Sequence, residues 1–111
     1  MSGIKIFGNG EERRDHIHID NVTHIIKNVI MKKYVGELNI VSGKIITFKQ
    51  IAEKVINNYS NNSKIVKIAR KGPMPHLGLR QFDNKKIFKF INRKKITDLE
   101  NWIEIKKNYS L

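Results

Sequence analysis

Cysteine is absent from this 111-residue chain. That absence excludes disulfide staples, thiolate-bound zinc, iron–sulfur clusters and a thiol nucleophile together. Proline is almost as rare: Pro73 and Pro75 are the two present, and both fall in residues 72–78, a stretch that reads as irregular. Long apolar runs are missing too, since none approaches the roughly 18 residues of a membrane span. Charge begins at Lys5 with no apolar stretch behind it, so no signal-peptide pattern is read. A soluble cytoplasmic protein is the expectation. Acids are few, 10 Asp and Glu against 22 Lys and Arg. Internal repeats and low-complexity tracts do not occur.

What is present is an ordinary apolar fraction of 40%, enough for one domain with a modest core and too short a chain for two. The net charge of +12 invites a polyanion partner, because clustered basic groups bind nucleic acid by releasing counterions. Lysine outnumbers arginine 17 to 5, and isoleucine and asparagine are also abundant. These three residues share A/T-rich codons, so genomic base bias with a solvated face is the preferred account of the excess, ahead of a dedicated nucleic-acid surface. Residues 64–95 concentrate the charge, with eleven Lys or Arg against Asp83 alone. The interleaved Phe82, Phe88 and Phe90 are either stacking platforms for bases or core anchors of a short helix.

The periodicity predicts a sequence of elements. Ile4 and Ile6, then Ile17 and Ile19, alternate with polar residues and predict two half-buried strands joined as a hairpin at Gly8-Asn9-Gly10. From Asp20, a plausible N-cap, the period becomes helical through Val22, Ile25, Ile26, Val29 and Ile30, with Gly36 as the stop. Residues 38–41 read as a short apolar strand closed by Ser42-Gly43. Thr47 and Gln50 form a capping box that opens a second helix with Phe48, Ile51, Ala52, Val55 and Ile56 on one stripe. Ile65, Val66 and Ile68 predict another strand. A short helix is expected from Asp83, and a last one is capped by Thr97 with Glu100. The order β-β-α-β-α-β-α-α is an α/β pattern.

No constellation in the chain assembles a self-contained active site. Gly8-Asn9-Gly10 lacks the third glycine and the following helix of a dinucleotide loop, because Arg13 holds that place. Arg14, His16 and His18 fall on one strand face, opposite Asp15, Ile17 and Ile19. That face is either a cationic surface for phosphate or sugar hydroxyls, or an exposed edge strand. His16, His18, Asp20 and His24 do not have the spacing of a metal motif. The serines lie outside any nucleophile elbow. Glu11-Glu12 reads as a solvated turn.

Residues 6–22 carry the pattern G-x-G-x-x-x-R-D-x-I-H-I-D-x-V. That pattern resembles the C-terminal part of the NAD-dependent epimerases and dehydratases of nucleotide sugars, the extended short-chain dehydrogenase/reductases. Leu38-Asn39-Ile40, Ser42-Gly43 and Thr47 resemble that family's next landmark, a strand, a Ser-Gly turn and a capped helix. Asp83 with Lys86, and Thr97, Leu99, Glu100 and Trp102, resemble its closing segment in weaker form. The likeness runs in order over residues 5–109. It implies a single partial domain, residues 1–111: the substrate-binding portion of an extended Rossmann-type fold without its dinucleotide-binding half.

The resemblance implies that Arg14 contacts the diphosphate of a UDP-, dTDP- or GDP-linked sugar. Arg80 and Arg70 compete for a second phosphate contact, with Arg80 preferred. Asp15 and Asp20 are expected to brace the strand and cap the helix. Asn21 stands where a second Asp is usual, and residues 92–95 replace a Gly-aromatic-x-Pro segment. The family's NAD(P) loop and Tyr-x-x-x-Lys pair have no counterpart here: Leu38 and Ser63 lie four residues after Tyr34 and Tyr59. This chain is therefore expected to hold no catalytic residue, cofactor or metal and to be inert alone. A separately encoded Rossmann half is the implied partner. The competing expectation is a small basic nucleic-acid-binding module built on residues 64–95.

Overall fold

The computed structural model describes residues 3–59 and 62–106, a mixed α/β arrangement of two small sheets and four helices among them. The elements are β1 (Ile4–Phe7), β2 (Arg13–Asp15), α1 (Ile19–Met31), β3 (Ile45–Thr47), α2 (Phe48–Tyr59), β4 (Ile65–Ile68), β5 (Leu79–Arg80), α3 (Lys85–Phe90) and α4 (Leu99–Lys106). One sheet pairs β1 with β4 in parallel, Ile4 opposite Ile65 and Phe7 opposite Ile68. The other has the order β3-β2-β5, antiparallel between β2 and β3 and parallel between β2 and β5. The observed order differs from the predicted one by the two-residue β5 and by where two strands fall.

The predicted hairpin does not form. Gly10 N–H donates to the Phe7 carbonyl at 3.0 Å, so a turn is there, with Gly8 and Gly10 at φ of 56° and 67°. Yet β1 and β2 enter different sheets. The carbonyls that a hairpin would spend on β1 instead meet the start of α2: Lys49 N–H donates to Gly10 and Phe48 N–H to Glu12. A Cβ at Gly10 would lie 2.9 Å from the Ile6 side chain and 3.0 Å from the Lys49 nitrogen, so this close approach requires glycine.

The second strand lies earlier than its alternation predicts. Ile17 packs against the core, but Ile19 opens α1 and is 63% exposed. The N-cap is His18, whose Nδ1 accepts from Asp20 N–H at 3.0 Å, and not Asp20. The helix also stops before Gly36. Lys33 adopts φ 52°, Tyr34 N–H donates to the Val29 carbonyl and Lys33 N–H to that of Ile30, the paired bonds of a Schellman motif.

The Thr47–Gln50 box forms reciprocally: Gln50 N–H donates to Thr47 Oγ1 at 3.0 Å and Thr47 N–H to Gln50 Oε1 at 2.8 Å. Strand β4 and the short α3 also form where predicted, α3 behind an Asp83 carboxylate that accepts from Lys85 N–H. The last helix begins at Leu99. Thr97 spends its backbone on the Asn21 amide, and Glu100 pairs with Lys44.

Residues 38–41 form no strand. Val41 is buried and Leu38 and Ile40 pack beside it, in a core made with Ile25, Ile87, Ile91 and Ile96. Their side chains find the core, but no strand among the described residues lies alongside their backbone. The molecule is thin, with extents of 50 × 38 × 18 Å. Its radius of gyration, 16.5 Å, exceeds the roughly 13 Å expected of a compact chain this long. Few side chains are buried on both sides as a result.

Candidate anion-binding cleft

Strand pairing sets the cleft. β2 alternates its faces, so Glu12, Arg14 and His16 share one side while Asp15 takes the other. Asp15 braces the next turn: its carboxylate accepts from Ser42 N–H, Ser42 Oγ and Gly43 N–H at 2.8–2.9 Å. This agrees with its expected bracing role.

On the opposite side, β1 and β4 face the apolar stripe of α2 across a cleft of about 900 Å3. Its walls are mostly apolar, with Ile6, Phe7, Phe48, Ile51, Val55 and Ile68 among them. One end is polar. There Glu12, only 7% exposed, is held between two arginines. Arg14 Nη2 donates to Glu12 Oε2 at 2.9 Å, and Arg70 Nη1 donates to Oε1. The guanidinium of Arg14 lies 5.4 Å from the centre of the Phe48 ring, and that of Arg70 lies 5.8 Å from that of Phe7. Two cations and one carboxylate leave this corner with a formal excess of +1.

Of the three arginines singled out in the sequence, Arg14 and Arg70 therefore meet and Arg80 does not join them. Arg80 sits opposite Arg14 in the β2–β5 register. Its side chain turns instead to the His76 ring, 2.7 Å from Nε2, and to the face of Phe82. The turn that carries His76 is unusual: His76 and Leu77 both adopt φ 53°, a left-handed pair without glycine. Glu12 was missed as a site residue because a Glu-Glu pair beside a Gly-Asn-Gly turn reads as solvent-exposed. Its two-residue spacing from Arg14 on one strand face was the available signal.

The histidines are dispersed. His16 meets Phe48 edge-on at 5.5 Å, and its Nε2 is buried without a hydrogen-bond partner among the described residues. His18 stacks on Trp102 at 4.2 Å while capping α1. No group of three or more His, Asp or Glu is placed to hold a metal among the described residues. Nor is any helix long and apolar enough to cross a membrane among them.

Burial holds the His16 imidazole below its ordinary pKa, and the neighbouring Arg14 cation adds to the effect. The unfolded chain therefore binds this proton more readily than the folded one. The stability that the neutral, buried imidazole contributes is fully present above the ordinary histidine value of about 6.5 and is lost as pH falls below it. His16→Phe is expected to flatten the decline in melting temperature between about pH 7.5 and about pH 5. Melting curves across that range, wild type against variant, measure it.

No family model, no curated protein and no solved structure matches this chain.

Proposed function

We propose that this chain is the nucleotide-sugar-binding, C-terminal region of an NAD-dependent epimerase or dehydratase of the extended short-chain dehydrogenase/reductase type. One observation carries the reading: Arg14 and Arg70 aim their guanidinium groups at a single carboxylate at the polar end of an apolar cleft. A diphosphate presents oxygens to arginine forks as a carboxylate does, with more charge. In this reading Glu12 occupies the place a ligand phosphate takes, and Arg70, not Arg80, is the second contact. The apolar walls receive the faces of the base and the sugar ring. The NAD(P) site and the proton-transferring pair belong to a Rossmann half encoded elsewhere, and this chain alone is inert. The finer fold assignment, a substrate-binding portion of a Rossmann-type enzyme working in the cytoplasm, belongs to the same proposal.

Thermal unfolding tests it. At least one of the UDP-, dTDP- or GDP-hexoses is expected to raise the melting temperature by several degrees when present at about 100 times its Kd. Arg14→Ala is expected to abolish the rise. The basic-module reading draws on the remaining charge of residues 64–95. Two arginines of that stretch, Arg70 and Arg93, are engaged internally by Glu12 and Asp98, which leaves mainly lysines to meet a polyanion. If no nucleotide sugar shifts melting while an RNA or DNA oligomer binds with steep salt dependence, the basic module replaces the cleft as the functional reading.

A further inference from the structure

The side chains that line the cleft are of two kinds, ionic and apolar. Lys5, Arg14, Arg70 and Lys71 are cations and Glu12 is the carboxylate among them, a formal excess of +3. Every other lining side chain is apolar. Among the described residues the lining holds no hydroxyl, amide, imidazole or indole group.

A nucleoside asks for more than this. Its exocyclic groups and ribose hydroxyls lose water on burial, and that costs free energy unless each finds a hydrogen-bond partner. The α2 wall has few to give, because a helix spends its main chain internally. Its first N–H groups, on Phe48 and Lys49, already donate to the Glu12 and Gly10 carbonyls, and that of Gln50 donates to Thr47 Oγ1.

A hydrocarbon chain needs no such partners. Phe7 is 58% exposed, and Ile51, Val55 and Ile68 are half-buried, so the walls keep apolar surface for a chain to cover. Covering it is favourable in proportion to area. The volume of about 900 Å3 is that of a small-molecule site. At the ionic end, Arg14 gives Glu12 one N–H of its fork, which leaves the geometry of a second acceptor available beside the carboxylate.

We propose that the cleft takes isoprenyl diphosphates, a second ligand class beside the nucleotide sugars. The diphosphate meets Arg14 and Arg70, and the branched chain lies along β1, β4 and α2. The inference rests on the diphosphate reading of the Arg14–Arg70 corner and adds what lies beyond the phosphates.

Calorimetric titration of the full chain tests it, with pyrophosphate, dimethylallyl diphosphate, geranyl diphosphate, farnesyl diphosphate and farnesol as the probes. Affinity is expected to rise along the four diphosphates in that order, with farnesyl diphosphate binding about tenfold or more tightly than pyrophosphate. Farnesol lacks the anion and is expected to bind about tenfold or more weakly than farnesyl diphosphate. Val55→Gln sets a polar group in the α2 wall and is expected to remove most of the gain with chain length, and Ile51→Gln is the second wall variant, each first shown by melting to fold. Three results overturn the inference alone: farnesyl diphosphate no tighter than pyrophosphate, farnesol as tight as farnesyl diphosphate, or a chain-length gain that survives in both wall variants. In each of these, binding of pyrophosphate or of a nucleotide hexose leaves the diphosphate reading standing. If no diphosphate binds at all, that reading and this inference fall together.

Discussion

Asp15→Ala is expected to destabilise the chain by about 3–5 kcal/mol, a large part of the 5–15 kcal/mol that holds an ordinary domain folded. The carboxylate accepts from three donors within 2.9 Å, and two of them belong to Ser42, which is 1% exposed. Hydrogen bonds to a charged group contribute roughly 1.5–3 kcal/mol each, and stranding a buried N–H or O–H costs about 1–3 kcal/mol more. These do not add in full, because Ser42 Oγ also reaches the Lys44 carbonyl at 3.3 Å. The turn has no easy alternative geometry. Gly43 holds φ 81°, and a Cβ there would sit 2.5 Å from the Phe88 ring. Loss of the brace also loosens β3 from β2, and with it the register that sets Arg14 opposite Ile46. Asp15→Asn keeps one acceptor oxygen and is expected to lose about half as much. Urea unfolding followed by circular dichroism measures both, and a change under about 0.5 kcal/mol for Asp15→Ala would show that solvent replaces the brace.

The features legible in the sequence are those whose partners lie within one turn of chain or on one periodic face. The Thr47–Gln50 box needs two side chains three residues apart, and it forms with both bonds made. Strand β4 follows from period alone, whereas of the α1 stripe read from the sequence Ile25 and Val29 join the core and Ile26 and Ile30 stay exposed. What alternation does not carry is the identity of the neighbour. Residues 38–41 have a strand's apolar content, but a strand exists only where another backbone pairs with it, and none does among the described residues. Ile17 and Ile19 alternate correctly, yet His18 intervenes as a cap and starts the helix at once. The cleft was legible in part. Arg14 and Arg70 were both candidates, but their meeting depends on Glu12, which is 58 residues from Arg70. No local pattern reports a contact of that separation, and the acid-rich turn pointed the other way.

Replacing Glu12 separates the two roles its arginines can have. Glu12→Gln keeps the side-chain shape and removes the charge that Arg14 and Arg70 share. In buffer without anions it is expected to cost about 2–3 kcal/mol. Removing one member of a buried ion pair typically costs 3–5 kcal/mol, and the side chains of Arg14 and Arg70, 36% and 18% exposed, recover some solvation. Affinity should move the other way. With the carboxylate neutral, an incoming diphosphate no longer competes with a fixed anion for the arginine forks, and inorganic pyrophosphate is expected to bind about tenfold more tightly than to the wild type. Stability and binding are linked, so pyrophosphate should return to the variant a larger share of melting temperature than it adds to the wild type. Arg70→Ala in the same background is expected to erase that gain. An arginine pair serving only to clasp Glu12 gives the opposite record: Glu12→Gln unfolds more easily, and pyrophosphate restores nothing. Calorimetric titration with pyrophosphate, paired with melting curves of the three proteins, distinguishes a binding corner that Glu12 keeps closed from a buried ion cluster that only holds β2 to the segment after β4.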